Sequence, residues 1–231
     1  GSHFALELLK HNHNVIIIDN CINSSAKTAK IIEKISSKKI KFYQNDILEK
    51  SIFDEIFKKN EIECVAHFAG LKNYNESYSN SSEYYSTNVV GSLNLLEAMK
   101  KNKVKRILFP SSATVYGNKF KPPWKEDMNL EFPDNPYAQT KIIVENILKK
   151  ILIEDPGWRI AILRYFNPIG AHKSGLMGES YSTYSKNLIP SISRVLTGNE
   201  KYLRVYGNTF NTKDGTGERD YLHINDLILA H

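Results

Sequence analysis

Cysteine is nearly missing from this sequence of 231 residues: Cys21 and Cys64 are the only two, too few for a disulfide framework. Long apolar runs are missing as well. None reaches the roughly 18 residues that a membrane-spanning helix needs, which excludes a membrane partner of that kind. No secretory signal opens the chain, which begins at Gly1 without a methionine. There are no internal repeats and no extended low-complexity tract. Metal-ligand spacings are absent too: His11 and His13 read as exposed residues at a helix end, and His172 and His223 have no spaced partners. The net charge is +6 and the pI about 9.1. The lysines nevertheless scatter through Lys34, Lys58, Lys100 and Lys149 and do not gather beside stacking aromatics, which argues against a nucleic-acid partner. A reduced, cytoplasmic, globular protein with one sizeable core and a smaller lobe is the expectation from what is missing.

What is present is an alternation. Helical apolar spacing over Phe4 to His11 is followed by the short apolar run Val15 to Ile18, then by helical spacing over Ala26 to Ile35 and a strand at Ile40 to Tyr43. Helix is predicted again at Ile52 to Lys59 and strand at Cys64 to Phe68. A long helix near Tyr84 to Lys101, the strand Arg106 to Pro110, the helix Tyr137 to Ile153 entered through Asn135-Pro136, and the strand Ile160 to Tyr165 complete the series. Strands joined by crossovers of helical length form a parallel sheet covered on both faces, so the fold class is α/β, doubly wound, of the Rossmann type. After Asn167, Gly, Pro, Ser and Asn punctuate the chain, with ordered stretches expected only at Leu188 to Leu196 and Tyr202 to Tyr206. The expected division is therefore a dinucleotide-binding domain over 1–167 and a smaller substrate domain over 168–231.

A doubly wound sheet binds its ligand at the carboxyl ends of its strands, and the residues there form a set. Val15 to Ile18 runs into Asp19, whose carboxylate is placed to accept the hydroxyls of an adenosine ribose. Taken alone, Asp19 would equally be a turn cap. The following strand leads to Asp46-Ile47, and the next ends in Phe68-Ala69-Gly70, small residues that let backbone approach a dinucleotide closely. Tyr137 and Lys141 lie four apart, on one face of a helix opened by Pro136. A phenol with a pKa near ~10 is a poor base at neutral pH, and lowering it by about 3 pH units corresponds to roughly 4 kcal/mol, which a neighbouring ammonium and a positively charged cofactor ring would supply. The strand before that helix ends in Ser111-Ser112, where a hydroxyl can bond the same substrate oxygen that the tyrosine deprotonates.

Three segments carry a resemblance: Pro110-Ser111-Ser112-Ala113-Thr114-Val115-Tyr116-Gly117, Asn135-Pro136-Tyr137 with Lys141, and Arg164-Tyr165-Phe166-Asn167-Pro168. Asp19-Asn20, His67-Phe68-Ala69-Gly70-Leu71-Lys72, Gly170-Ala171-His172, Asn187-Leu188-Ile189-Pro190, Asp214-Gly215-Thr216-Gly217 and Arg219-Asp220-Tyr221 follow in the same order and spacing. Together they resemble the UDP-glucose 4-epimerase family of the extended short-chain dehydrogenases/reductases. The resemblance implies NAD as cofactor and a UDP-sugar as substrate, with inversion at C4 through transient oxidation. It implies Tyr137 as base, Lys141 as its partner and Ser112 on the reacting hydroxyl. Gly1, Asp19, Asn20, Asp46, Ile47, Phe68, Ala69, Gly70, Lys72, Asn88, Ser111, Tyr137, Lys141 and Tyr165 would hold the cofactor. Ser112, Tyr137, Phe166, Asn167, Asn187, Leu188, Arg204, Tyr206 and Arg219 would hold the substrate, and a homodimer pairing helices such as Tyr84 to Lys101 and Tyr137 to Ile153 is implied.

The sequence also departs from the family. Pro110 and Thr87 stand where the family often has Ser and Asn, and Gly1-Ser2-His3 resembles the end of the family's glycine turn, so the 231 residues alone are expected not to turn over. The alternatives are another NAD-dependent nucleotide-sugar epimerase, a dehydratase, or a non-catalytic NAD-binding regulator on the same scaffold. A dehydratase typically carries Asp-Glu where this chain has Ala113-Thr114, which favours a redox-neutral outcome.

Overall fold

A computed structural model describes residues 1–117, 120–179 and 187–231. The chain divides into two compact units: Gly1 with 14–22 and 40–165, and 2–13 with 23–39 and 166–231. The last changeover, between Tyr165 and Phe166, falls two residues before the expected boundary. The early segments 2–13 and 23–39 group with the C-terminal third, a partition that no local pattern in the sequence signals, because it depends on which helices pack together.

In the first unit, β1 (Ile16–Ile18) pairs in parallel with β2 (Lys41–Tyr43). A second parallel ladder joins β3 (Val65–Ala66), β4 (Arg106–Ser112) and β5 (Arg159–Tyr165), with β4 in the centre. The expected parallel sheet is thus laddered in two parts among the described residues. Ile107 to Ser111 of β4 are all buried, the continuous burial of a strand covered on both faces. The core is built from i, i+4 apolar positions on the covering helices: Ile52 and Ile56 of α3 (Lys50–Lys59), Leu95 and Met99 of α6 (Gly91–Lys101), and Val144 and Leu148 of α7 (Pro136–Glu154). These meet Ile107 and Phe109 of β4 and Trp158. At roughly 1.5 to 3 kcal/mol for each large side chain, this burial is the main force holding the unit together.

The long helix expected near Tyr84 to Lys101 is a composite. After the single turns α4 (Glu76–Ser79) and α5 (Ser81–Tyr84), a π-helical stretch over Tyr85–Val90 leads into α6. Gly91 at that join is a requirement of packing, since a β-carbon there would lie 2.4 Å from Ile47 Cδ1. Helix α7 starts as its sequence dictates: Asn135 Oδ1 accepts from Ala138 N at 3.0 Å, and Pro136 occupies the first turn, where no N–H is needed.

The second unit contains α1 (Ser2–Lys10) packed on α2 (Lys27–Ser36), the parallel pair β6 (Asn167–Ile169) and β7 (Tyr221–His223), and the helices α8 (Leu188–Leu196) and α9 (Ile224–Leu229). Strands β6 and β7 were not visible in the sequence, because three residues are too few for a periodicity. The stretch Tyr202 to Tyr206, expected to be ordered, has no regular secondary structure. No helix among the described residues is long and apolar enough to cross a membrane.

Candidate active site

The centre of the site is assembled by β4 and α7. The Tyr137 phenol lies beside the Ser112 hydroxyl; burial pushes its pKa up, and the neighbouring hydroxyl pulls it down. Ser112 also accepts from Thr114 Oγ1 at 2.9 Å, in the 3-10 turn Ala113–Tyr116 that follows β4. Lys141 lies one helical turn beyond Tyr137. Its ammonium is 5.8 Å from the Tyr137 ring centre and 4.8 Å from that of Phe109, and Nζ donates to the Pro110 carbonyl at 2.9 Å.

That carbonyl is free for a reason visible in the ladder. Leu108 turns its C=O toward β3, where it accepts from His67 N, and by the alternation of a parallel strand Pro110 faces the same way. The next rung of the ladder would need an N–H at position 110 to donate to the His67 carbonyl; proline has none, so the β3 ladder ends at Ala66, and the Pro110 carbonyl is taken by Lys141.

Burial lowers the Lys141 ammonium to about 8, against the opposing charge of Glu145. Lys141 is anchored to the strand, and burial outweighs what lowers Tyr137, so among the protein's own groups the phenol is held above its ordinary value.

Behind this pair lies an ionic network that the sequence reading missed. Glu145, four residues beyond Lys141, has only 1% of its side chain exposed. It accepts from Ser111 Oγ at 2.5 Å and from Arg164 Nε and Nη2 at 3.1 and 2.8 Å. Continuing the Tyr137, Lys141 spacing by one more turn would have found it.

A second network supports the other side. His67 is buried, its ring bonded to Ser92 Oγ at 2.7 Å, and burial together with the nearby Lys141 charge holds it down to about 3. Asn88, in the π-helical stretch, donates to Leu71 O and Thr140 Oγ1 and accepts from Leu71 N. Thr140 in turn donates to Tyr137 O at 2.7 Å. The expected cofactor residue Asn88 thus ties the loop after Gly70 to the helix of the tyrosine. Gly70 has φ +152°, and a β-carbon there would sit 2.9 Å from Asn88 Oδ1, so only glycine fits.

At the ends of β1 and β2, Asp19, Asn20 and Asp46 come together. Asn20 Nδ2 donates to Asp46 Oδ2 at 2.8 Å, while Asp19 and Asp46 also cap the N–H groups of Cys21 and Leu48. The capping role weighed for Asp19 is therefore real, and each carboxylate keeps further lone pairs. Ile47 fills the space beside Gly91, and a β-carbon added at Gly1 would meet the Phe68 side chain at 3.7 Å. Ala69 follows at the strand end, and Lys72 is exposed one residue past Leu71. Tyr165 is the register partner of Ser112 across β4 and β5, and burial pushes its phenol up.

The residues expected on the substrate side lie in the second unit. Asn167 pairs with Tyr221 in the β6–β7 ladder, and its Nδ2 donates to Asp220 O at 3.1 Å, one residue from Arg219. Arg219 is exposed and donates to Glu218 O. Phe166, Asn187 and Leu188 are exposed, the last two where α8 begins, and Arg204 and Tyr206 are exposed on the irregular segment. Among the described residues no group of His, Cys, Asp or Glu could hold a metal ion.

This geometry coincides with a family assignment. The model of the NAD dependent epimerase/dehydratase family matches residues 1–231. The chain belongs to that family. This epimerase/dehydratase chain is 47% identical over its whole length to the UDP-glucose 4-epimerase of Pasteurella multocida (strain Pm70), of which it covers 68%. It is 45% identical to that of Bacillus subtilis (strain 168), again covering 68%. Among solved structures, the UDP-glucose 4-epimerase of Bifidobacterium longum in complex with NAD+ and UDP superposes with a TM-score of 0.95 at 43% identity, over 100% of this chain and 69% of that one. The fold is accordingly Rossmann-type α/β.

Proposed function

We propose that this protein interconverts UDP-galactose and UDP-glucose by NAD-dependent oxidation and re-reduction at C4 of the sugar. The observation that carries the reading is Lys141, anchored to the Pro110 carbonyl and 5.8 Å from the Tyr137 ring, with Ser112 beside the phenol at the carboxyl end of β4, in a chain that UDP-glucose 4-epimerases match over all of its 231 residues. The residues fit the cofactor. Two carboxylates with an amide between them, at the ends of β1 and β2, suit a ribose diol and an adenine amino group, and Gly70 opens the backbone at the end of β3. Asp19, Asn20, Asp46, Ile47, Phe68, Ala69, Gly70, Lys72, Asn88, Ser111, Tyr165 and Gly1 would hold it, with Tyr137 and Lys141 nearest its reactive ring. When bound, NAD supplies a reversible hydride acceptor for C4.

The chain's own residues handle the proton. Ser112 orients the 4-hydroxyl, and Tyr137 takes its proton as C4 is oxidised and returns it to the opposite epimer. Lys141 holds positive charge near the phenol below about pH 8. The UDP-sugar is held by Phe166, Asn167, Asn187, Leu188, Arg204, Tyr206 and Arg219, the guanidinium of Arg219 suiting a pyrophosphate through paired, charge-assisted hydrogen bonds. The turn after Ser112 carries Ala113 and Thr114, and Thr114 is bonded back to Ser112, so no carboxylate stands there for an elimination of water.

A cytoplasmic homodimer belongs to the same reading. Both cysteines are free, and Leu93 on α6 and Ile153 on α7 are exposed, apolar and on the helices that would pair. The test is conversion of UDP-galactose to UDP-glucose by the purified full-length protein, followed by proton NMR without net NADH release. Oxidised or dehydrated product in place of the epimer would sink the proposal. Calorimetry should also give tighter binding of NAD than of NADP, because Asp19 repels a 2′-phosphate.

A further inference from the structure

The reaction as proposed leaves one buried ionic group without a task. Tyr137, Lys141 and Glu145 occupy i, i+4 and i+8 of α7 and so share one face. Glu145 joins three elements at once: its own helix, β4 through Ser111, and β5 through Arg164. Ser111 and Arg164 are register partners on adjacent strands, so the carboxylate bridges the ladder one residue beyond Pro110, whose carbonyl holds Lys141. Arg164 is itself fixed, stacked 5.0 Å over the Tyr116 ring and donating to Tyr116 OH and Glu126 O.

A buried ion pair is a poor stabiliser, since desolvation of both charges offsets most of their attraction, and an apolar pair of similar volume often does as well. An ion pair with ideal bidentate geometry directly behind a reacting pair therefore suggests a use beyond stability. Resting on the epimerase reading, we infer that Glu145 is a positioning residue: through Ser111 and Arg164 it locks α7 to the end of β4, and so sets Tyr137 against Ser112 and Lys141 against Pro110. It also acts on Lys141 by charge. The groups facing Lys141 are Tyr137 and Glu145 on α7, the carbonyl of Pro110 and the ring of Phe109 on β4, and the neutral His67 after β3. Those facing Glu145 are Arg164, Ser111 and the more distant Lys149, 3.7 Å away. Glu145 is the anion in this set, and its charge favours the protonated form of Lys141.

The test separates position from mere stability. Glu145→Gln alone leaves the buried Arg164 uncompensated and can unfold the protein, so the deciding variant is Glu145→Gln with Arg164→Met in the full-length enzyme, which removes both charges. The double variant should fold, yet lose roughly ten- to a hundredfold in kcat with little change in KM. Its alkaline limb should move to lower pH by roughly half a unit or more, because Lys141 gives up its proton sooner. A 13C-lysine NMR titration, with the Lys141 signal assigned through Lys141→Arg, should show the same displacement without turnover. This arm stands even if the wild type acts on a different sugar, which keeps failure of the epimerase reading distinct from failure of this one. A double variant that folds with wild-type kcat and an unmoved Lys141 titration overturns the inference. So does a double variant that cannot fold, since the pair would then serve stability alone.

Discussion

The carboxyl end of β4 with α7 and the stretch from Leu196 to Tyr221 place functional side chains in opposite ways. In the first, the proposed reacting groups sit on regular elements tied together by hydrogen bonds: Lys141 to Pro110, Ser112 to Thr114, and, behind them, Ser111 and Arg164 to Glu145. In the second, Leu196, Tyr202, Val205 and Tyr206 are each more than half exposed, and Arg219 is exposed, donating to the carbonyl of the residue before it. Proton transfer tolerates little displacement of the reacting atoms, so the groups that carry it sit on regular elements packed into a core.

The contrast is sharpest, and most easily broken, at Tyr137. Tyr137→Phe should lower kcat by about two to four orders of magnitude while leaving the melting temperature close to wild type, since only the hydroxyl is removed. Steady-state kinetics beside a thermal melt decides it, and an unchanged kcat would take the base role away from Tyr137.

His67 gives the next largest effect, on stability. Its folded pKa is depressed to about 3 from the ordinary 6.5, so between those values the unfolded chain binds a proton that the folded chain does not. Stability is full above about pH 6.5 and falls as the pH drops toward 3. Urea unfolding at pH 7.5 and 4.5 should show a loss of roughly 2 to 3 kcal/mol from this group. His67→Gln should remove that part of the slope. An identical slope in the variant would mean that His67 is protonated in the fold.

Asn135 caps α7 and also donates to Tyr74 O and Ser77 Oγ from a buried position. Asn135→Ala should cost about 1 to 2 kcal/mol in chemical denaturation. A loss below a few tenths of a kcal/mol would place the helix start under other control. The smallest effect is expected in the second unit. Arg219→Ala should weaken UDP binding by about tenfold in calorimetry, leaving NAD affinity and melting temperature unchanged. A lowered melting temperature would show that Arg219 is built into the fold, and the comparison between the two regions would fail there.

Much of the candidate catalytic region was legible because its signals are local. The Tyr137 and Lys141 spacing, the Asn135-Pro136 helix start and the apolar run of β4 are all contained within a few turns or one strand, and the structure realises each. The shorter pieces were not. Strands β6 and β7 offer three residues each, and the π-helical stretch inside the predicted long helix has no sequence period of its own. Order was expected over Tyr202 to Tyr206, and no ladder forms there.

By itself, then, the sequence determined the parallel α/β class, the helix that carries Tyr137 and Lys141, and the acidic and small residues that end each strand. Periodicity, caps and turn residues act within the chain's own neighbourhood. Tertiary structure alone decided that Lys141 is tethered to Pro110, that Asn88 spans from Leu71 to Thr140, that His67 stays neutral, and that Glu145 closes on Ser111 and Arg164. Each of these joins residues 17 or more positions apart, through desolvation and hydrogen bonds that exist only once the elements are packed.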